Sequence, residues 1–250
     1  MRFFFLLFLA LPGLAQDTFY FKKALSVNAP LRYGREALYM DELAYRLYTG
    51  KLETPDEGKT FLSTDNAETV IWKALEADSL RRLRPAGSGF GARGRGPTYL
   101  YLTYHADKAR SAIINIKGNA GFFLNGEPHM GDAYSSGWMY VPIKLKKGLN
   151  EFYVRGSFIS ASMFFPGKPV MLNTEDATVP SILPGKANSN LLAAIVVINS
   201  SEKKITGASI ISSLNGKEKR TIIPDIPAMS MRKVLFALDA SAVEAPGKPV

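Results

Sequence analysis

The chain has 250 residues, of which 46% are hydrophobic, and it carries 31 Lys and Arg against 22 Asp and Glu. This length allows one or two globular domains, and the lack of Cys excludes disulfides and thiolate metal sites. The formal net charge of +9 is spread mostly as single basic residues, so it does not predict nucleic acid as a partner.

The N-terminus predicts a secretory signal peptide. Arg2 gives a basic start, an apolar run follows from Phe3 to Leu11, and Gly13 and Ala15 are the small residues of a cleavage site. The run is shorter than the about twenty apolar residues that cross a bilayer. We therefore expect a signal peptide at residues 1–15, export to the periplasm or the extracellular space, and no membrane span.

A short helix is predicted between Glu36 and Tyr48. Tyr39, Leu43 and Leu47 recur at the helical spacing, and Gly50 stands where a helix C-terminus favours a left-handed residue.

The segment that follows the helix contains Trp72. Residues 70–75 fit a strand or a helix. Trp72 is either a platform for stacking a sugar or a core aromatic, and the pattern favours the core position.

From Thr98 onward the hydrophobic pattern has period two and predicts antiparallel strands. Asn125-Gly126 is a hairpin turn signal. Pro142, on the outward, solvent-facing side of its strand, predicts an edge strand or a bulge. We interpret residues 16–172 as a galactose-binding-like jelly-roll domain, a β-sandwich. The predicted strands cover residues 98–104, 111–117, 121–124, 139–145, 151–156 and 160–165.

A second β-unit is predicted at residues 188–250, after a Pro-containing linker at 173–187. Its four predicted strands cover residues 190–199, 205–215, 217–223 and 231–238. An Ig-like sandwich usually has about seven strands. We therefore expect an incomplete Ig-like domain, either truncated in this sequence or completed by another chain.

Catalytic chemistry is not predicted. No G-x-S-x-G motif occurs, and His105 and His129, the two His of the chain, fit structural or solvated positions better than a general base. Residues 87–96 are Gly-rich but lack the strand, helix and acidic residue of a dinucleotide site. We predict no catalytic residue, no metal ligand and no cofactor.

One basic cluster surrounds this Gly-rich segment. Its members are Arg81, Arg82, Arg84, Arg93 and Arg95. We interpret the cluster as a basic mobile loop, with an anion-binding site as the alternative.

The best candidate contact surface is an aromatic loop beside polar residues, a combination that suits sugars or neighbouring domains. Its predicted ligand-binding residues are Asn125, Glu127, Asp132, Tyr134, Trp138 and Tyr140. The alternative is a loop packed on its own sheet or on another domain. Glu127 and Asp132 are also weak calcium candidates, whereas Asp132 alone fits an acceptor of backbone N–H groups.

Several segments resemble the N-terminal region of exported bacterial α/β-hydrolases of the prolyl-oligopeptidase or acyl-esterase type. The segments are residues 29–58 and 70–78, FFLNGEPHMGDAYSSGWMYVPIKLKKGLNEFYVRG at 122–156, VVINSS at 196–201 and PDIPAMSMRKV at 224–234. The resemblance implies a jelly roll and an Ig-like unit ahead of a hydrolase domain. That catalytic domain is absent from this sequence, so no catalytic residue is carried over.

The leading functional hypothesis is therefore a non-catalytic accessory region that supports the hydrolase domain of the same polypeptide or positions its substrate. Carbohydrate is the other candidate partner, in a stand-alone secreted sugar-binding protein. A structural surface or assembly module is a further alternative.

Overall fold

The structure is a computed structural model that describes residues 18–28, 31–33, 39–63, 69–85, 98–182 and 188–243. The predicted signal peptide, Arg93 and Arg95 lie outside these residues. Within them the chain forms nineteen strands and one helix. The prediction of a mainly β fold with a short N-terminal helix is confirmed.

The elements are numbered in chain order. The first are β1 Thr18–Tyr20, β2 Lys23–Asn28, β3 Leu31–Tyr33, β4 Tyr39–Asp41, α1 Glu42–Tyr48, β5 Thr60–Ser63, β6 Thr69–Ile71 and β7 Lys73–Glu76. The middle of the chain forms β8 Thr98–Ala106, β9 Arg110–Lys117, β10 Gly121–Leu124, β11 Glu127–Met130, β12 Val141–Leu145, β13 Gly148–Arg155 and β14 Ser160–Phe164. The last are β15 Val170–Thr178, β16 Leu191–Asn199, β17 Ser209–Leu214, β18 Lys217–Ile222 and β19 Ser230–Leu238.

Two antiparallel sheets form a β-sandwich. One has six strands in the order β11-β10-β13-β8-β2-β7, and the other has four in the order β1-β14-β9-β12. Because side chains alternate along a strand, Leu100 and Leu102 of β8 point into the shared core, where Ile114, Ile143 and Phe152 also pack. Strand β12 is an edge strand, as Pro142 predicted.

The outer face of the six-stranded sheet is covered by a second layer. Tyr101 and Tyr153 of this face pack with Leu43 of α1, Phe61 of β5 and Trp72. Trp72 is 2% exposed, so its prediction as a core aromatic is confirmed and a solvent-facing sugar platform at this residue is excluded.

Helix α1 begins at a side-chain cap. The Asp41 carboxylate accepts a hydrogen bond from the Ala44 N–H (3.2 Å) at the first turn and another from the Tyr99 hydroxyl (2.7 Å). The helix ends before Gly50, whose φ of 67° confirms the predicted left-handed residue. Asp41 therefore fixes this covering layer to the sheet beneath it.

The outer face of the four-stranded sheet is also covered, by a three-stranded sheet in the order β15-β16-β19. Ile113 of β9 packs with Val196 and Ile198 of β16. Pro142 lies on this covered face and is buried. The prediction that this face meets solvent was wrong, because alternation indicates which face a residue occupies but not what packs on it.

The hairpin formed by β17 and β18 packs on the far side of the three-stranded sheet. The core between them contains Val197 and Val234 from the sheet and Ile223, which directly follows β18. The turn Asn215-Gly216 has φ values of 47° and 77°, as an Asn-Gly hairpin requires.

Strand β15 runs through residues 173–178, which were predicted to begin the linker. It pairs with β16 from Val170 to Thr178, with a register shift after Asn173. The predicted linker therefore starts too early by these residues. The division of the chain into domains stays a prediction.

Candidate functional site

The six predicted site residues lie at two ends of the sandwich. Asn125 is in the β10–β11 turn, and β11 then carries the chain from Glu127 to Met130. At about 3.3 Å per residue, this strand separates Glu127 from the loop after Met130 by about 10 Å. The presented loop is therefore residues 131–140, which contains Asp132, Tyr134, Trp138 and Tyr140.

Asn125 is a structural turn residue. Its φ is 51°, its amide donates to Asn150 Oδ1 (3.0 Å), and its Oδ1 accepts the Glu151 N–H (3.1 Å). Its side-chain oxygen and nitrogen thus both have partners in the neighbouring strand β13. Glu127 is exposed at the same end.

Asp132 is a buried residue of the presented loop, and its carboxylate accepts hydrogen bonds from the backbone of that loop. It is 4% exposed, and one carboxylate oxygen accepts the Ser136 N–H (2.9 Å) and hydroxyl (2.8 Å). The other oxygen accepts the Gly137 N–H (2.7 Å). This is the backbone-acceptor role considered for Asp132 from the sequence. In the described part of the chain, no group of three or more His, Cys, Asp or Glu is placed to hold a metal ion.

Two buried Asn side chains on neighbouring strands donate hydrogen bonds to backbone carbonyl groups of the loop. Asn115 of β9 donates to the carbonyl oxygens of Gly137 (2.8 Å) and Met139 (3.0 Å). Asn173 of β15 donates to that of Trp138 (2.7 Å). Three successive carbonyl groups are thus fixed by side chains, so the loop has a defined backbone without regular secondary structure.

Sequence reasoning missed both Asn residues. Asn115 interrupts the apolar strand SAIINIK, and a polar residue at a core position indicates a buried hydrogen bond. That signal was available. Asn173 gave no such signal, because the sequence pattern assigned it to the linker rather than to a strand.

The loop presents two aromatic side chains to solvent. Tyr134 is 97% exposed and Trp138 is 50% exposed. Ser135 and Gly137 have φ values of 54° and 77°, which turn the backbone sharply between the two rings. A ring on a fixed backbone loses little conformational entropy on binding, so this pair suits ligand contact.

Tyr140 instead faces the three-stranded sheet. Its ring packs beside Phe164 (centroids 6.1 Å apart), and its hydroxyl donates to Glu175 Oε1 (3.0 Å). Burial raises the pKa of Tyr140 to about 12, and the bond to Glu175 adds to the rise. Tyr140 therefore fits the packing alternative rather than ligand contact.

Replacing Tyr140 by Phe should lower the free energy of unfolding by about 1 kcal/mol, the usual net value of one hydrogen bond. The contribution of this hydroxyl is fully present below pH 10.0, its unfolded pKa, and is lost as the pH rises through about 12. Urea unfolding at pH 7 and pH 11 measures both effects. A difference between the two proteins that grows from pH 7 to pH 11 would contradict the assignment.

His129 is a structural aromatic residue of β11. Its ring stacks on Phe122 with centroids 4.9 Å apart and planes at 9°. Burial lowers its pKa. This geometry agrees with the prediction of a structural His.

The described part of the basic cluster makes ring contacts. The guanidinium of Arg81 lies 3.7 Å from the Tyr20 ring centroid, and that of Arg84 lies 4.4 Å from the Phe158 ring centroid. Arg82 pairs with Asp78 (2.8 Å). These three residues are therefore held by specific contacts, and the mobile-loop prediction remains only for residues outside the described ranges.

The described residues contain no helix that is long and apolar enough to span a bilayer.

No protein-family model and no curated protein sequence matches the chain. One similar solved structure is the exo-chitosanase CsxA of Amycolatopsis orientalis, with 13% identity, a TM-score of 0.34, and coverage of 89% of this chain and 29% of that chain.

Two further solved structures are similar to this chain. The GH2 β-galacturonidase of Eisenbergiella tayi bound to galacturonate has 8% identity, a TM-score of 0.36, and coverage of 89% and 37%. A glycosyl hydrolase family 2 member from Bacteroides cellulosilyticus has 13% identity, a TM-score of 0.32, and coverage of 88% and 31%. The chain spans about a third of the length of these proteins.

Proposed function

We propose that this chain is a non-catalytic accessory β-sandwich region that contacts carbohydrate through Tyr134 and Trp138. The observation that carries the proposal is the exposure of these two rings on a loop whose backbone Asp132, Asn115 and Asn173 hold. Aromatic faces stack on the apolar faces of sugar rings, and their polar edges remain free for hydroxyl groups.

Replacing Trp138 by Ala should weaken glycan binding about fivefold, since an aromatic contact contributes on the order of 1 kcal/mol. A glycan array followed by titration calorimetry measures the effect. The matched control is Tyr48→Ala, which removes a ring that is 91% exposed on α1. Equal binding by wild type and Trp138→Ala would contradict the proposal.

We further propose that the region belongs to an exported serine hydrolase and places substrate near its catalytic domain. The support is the sequence resemblance at residues 122–156, 196–201 and 224–234, together with the signal peptide pattern at residues 1–15. The test is the gene sequence downstream of codon 250. A G-x-S-x-G motif is expected there, and a stop codon in its place would contradict the proposal.

A further inference from the structure

Two cationic side chains, those of Lys117 and Arg84, lie at the same end of the sandwich as the presented loop. We call these two side chains, Phe158 and the loop the rim. Lys117, the last residue of β9, packs on Gly137. A Cβ added at Gly137 would collide with the Lys117 side chain and lie 2.6 Å from its Nζ. Lys117 therefore stands directly beside the backbone that carries Trp138.

The second cation, Arg84, is connected to the presented loop by its contact with Phe158. The Phe158 ring is 41% exposed and carries the Arg84 guanidinium 4.4 Å from its centroid. A Cβ added at Gly118 would collide with the Phe158 carbonyl oxygen and lie 3.4 Å from Ser135 Oγ. Arg84 thus contacts Phe158, Phe158 lies against Gly118, and Gly118 lies beside Ser135 of the presented loop.

Three cations lie at this rim, and one of them is compensated: Arg82, 5.4 Å from the Phe158 ring centroid, pairs with Asp78 (2.8 Å). Within the described ranges, neither Arg84 nor Lys117 makes an ion pair, and both are exposed. The one carboxylate of the loop, that of Asp132, is buried and already accepts three hydrogen bonds. A negatively charged ligand group would therefore meet two cations that have no ion-pair partner among the described residues, and the carboxylates of Asp132 and Asp78 already accept hydrogen bonds.

We propose that the rim binds an anionic carbohydrate, one whose sugars carry carboxylate or sulfate groups. Trp138 and Tyr134 would contact sugar faces, while Lys117 and Arg84, the latter held over the Phe158 ring, would pair with the anionic groups. Arg is suited to a fork of two hydrogen bonds to one carboxylate, and Lys acts as a point charge. This inference rests on the proposed function and names the class of its ligand.

The test compares polygalacturonate with the same polymer after methyl esterification of its carboxylates. The wild-type protein should bind the acidic polymer about tenfold more tightly, and added salt should weaken that binding. The double variant Arg84→Gln and Lys117→Gln should lose this preference and keep its binding to the ester. Affinity electrophoresis and calorimetry provide the measurements.

The matched control is Lys108→Gln with Lys147→Gln. It removes the same charge from two exposed residues at the opposite end of the sandwich, where β9 begins and β12 ends. The control should keep the preference. An equal loss in both double variants would indicate a general effect of net charge and would overturn the inference.

The remaining outcomes separate this inference from the proposed function. Equal binding of both polymers, abolished by Trp138→Ala, would overturn the anionic ligand and leave the carbohydrate site standing. Binding of neither polymer would overturn the anionic ligand, and the glycan array then decides the proposed function. Tighter binding of a single-stranded oligonucleotide than of polygalacturonate would overturn both.

Discussion

Replacing Asp132 by Ala is expected to lower the free energy of unfolding by about 3 kcal/mol, because its charge-assisted hydrogen bonds are lost together. The Gly137 N–H is buried, so it would lose its partner without gaining water. Glycan binding should fall further than in Trp138→Ala, since the backbone under both exposed rings is released. Urea unfolding and calorimetric titration measure the two effects.

The control for this variant is Glu127→Ala. Glu127 is a carboxylate on the preceding strand, but it is exposed and lies at the opposite end of the sandwich. Its replacement should change the unfolding free energy by less than about 0.5 kcal/mol. An Asp132→Ala protein as stable as this control would show that the loop does not depend on the buried carboxylate.

Replacing Gly118 by Ala is expected to cost about 3 kcal/mol for two separate reasons. Gly118 has a φ of 78°, which costs an L-residue about 1–2 kcal/mol. The added Cβ would also collide with the Phe158 backbone carbonyl, and relieving such a clash costs about 1–3 kcal/mol. The Phe158 segment should shift, so preference for the acidic polymer should fall along with stability.

Gly50→Ala separates the two contributions. Gly50 has a φ of 67°, but a Cβ there would meet nothing within 4 Å. This variant should show the conformational cost alone, at about 1 kcal/mol. Equal destabilisation by both Ala substitutions would mean that Phe158 moves away from Gly118 at no cost. The inference that Phe158 and Arg84 are fixed beside the presented loop would then be wrong.

Local patterns in the sequence were sufficient for much of the middle of the chain. The predicted strands at residues 98–104, 111–117 and 121–124 correspond to β8, β9 and β10. Strands β1 and β2 were missed, although β2 pairs with both β7 and β8. Their sequences are short and mixed, and β2 is stabilised by its neighbours more than by its own pattern.

The candidate site was predicted only in part. Trp138 and Tyr134 are on the presented loop, as the sequence indicated, because Gly and Ser beside aromatic residues favour an exposed turn. No pattern in the sequence placed Lys117, Arg84 and Phe158 beside these two aromatic residues. These residues lie more than fifteen positions from Trp138 along the chain, and only strand pairing and the close approach of Gly118 bring them to one rim.

The sequence by itself determined strands β8, β9 and β10 and both Asn-Gly turns, since these depend on alternation and on backbone preferences of single residues, and it favoured the core position of Trp72. Only the tertiary structure decided that Tyr140 and Pro142 face a second sheet and that Asn125 and Glu127 lie away from Trp138. The physical reason is that alternation assigns a side chain to a face of its strand, whereas the partner on that face comes from a distant part of the chain.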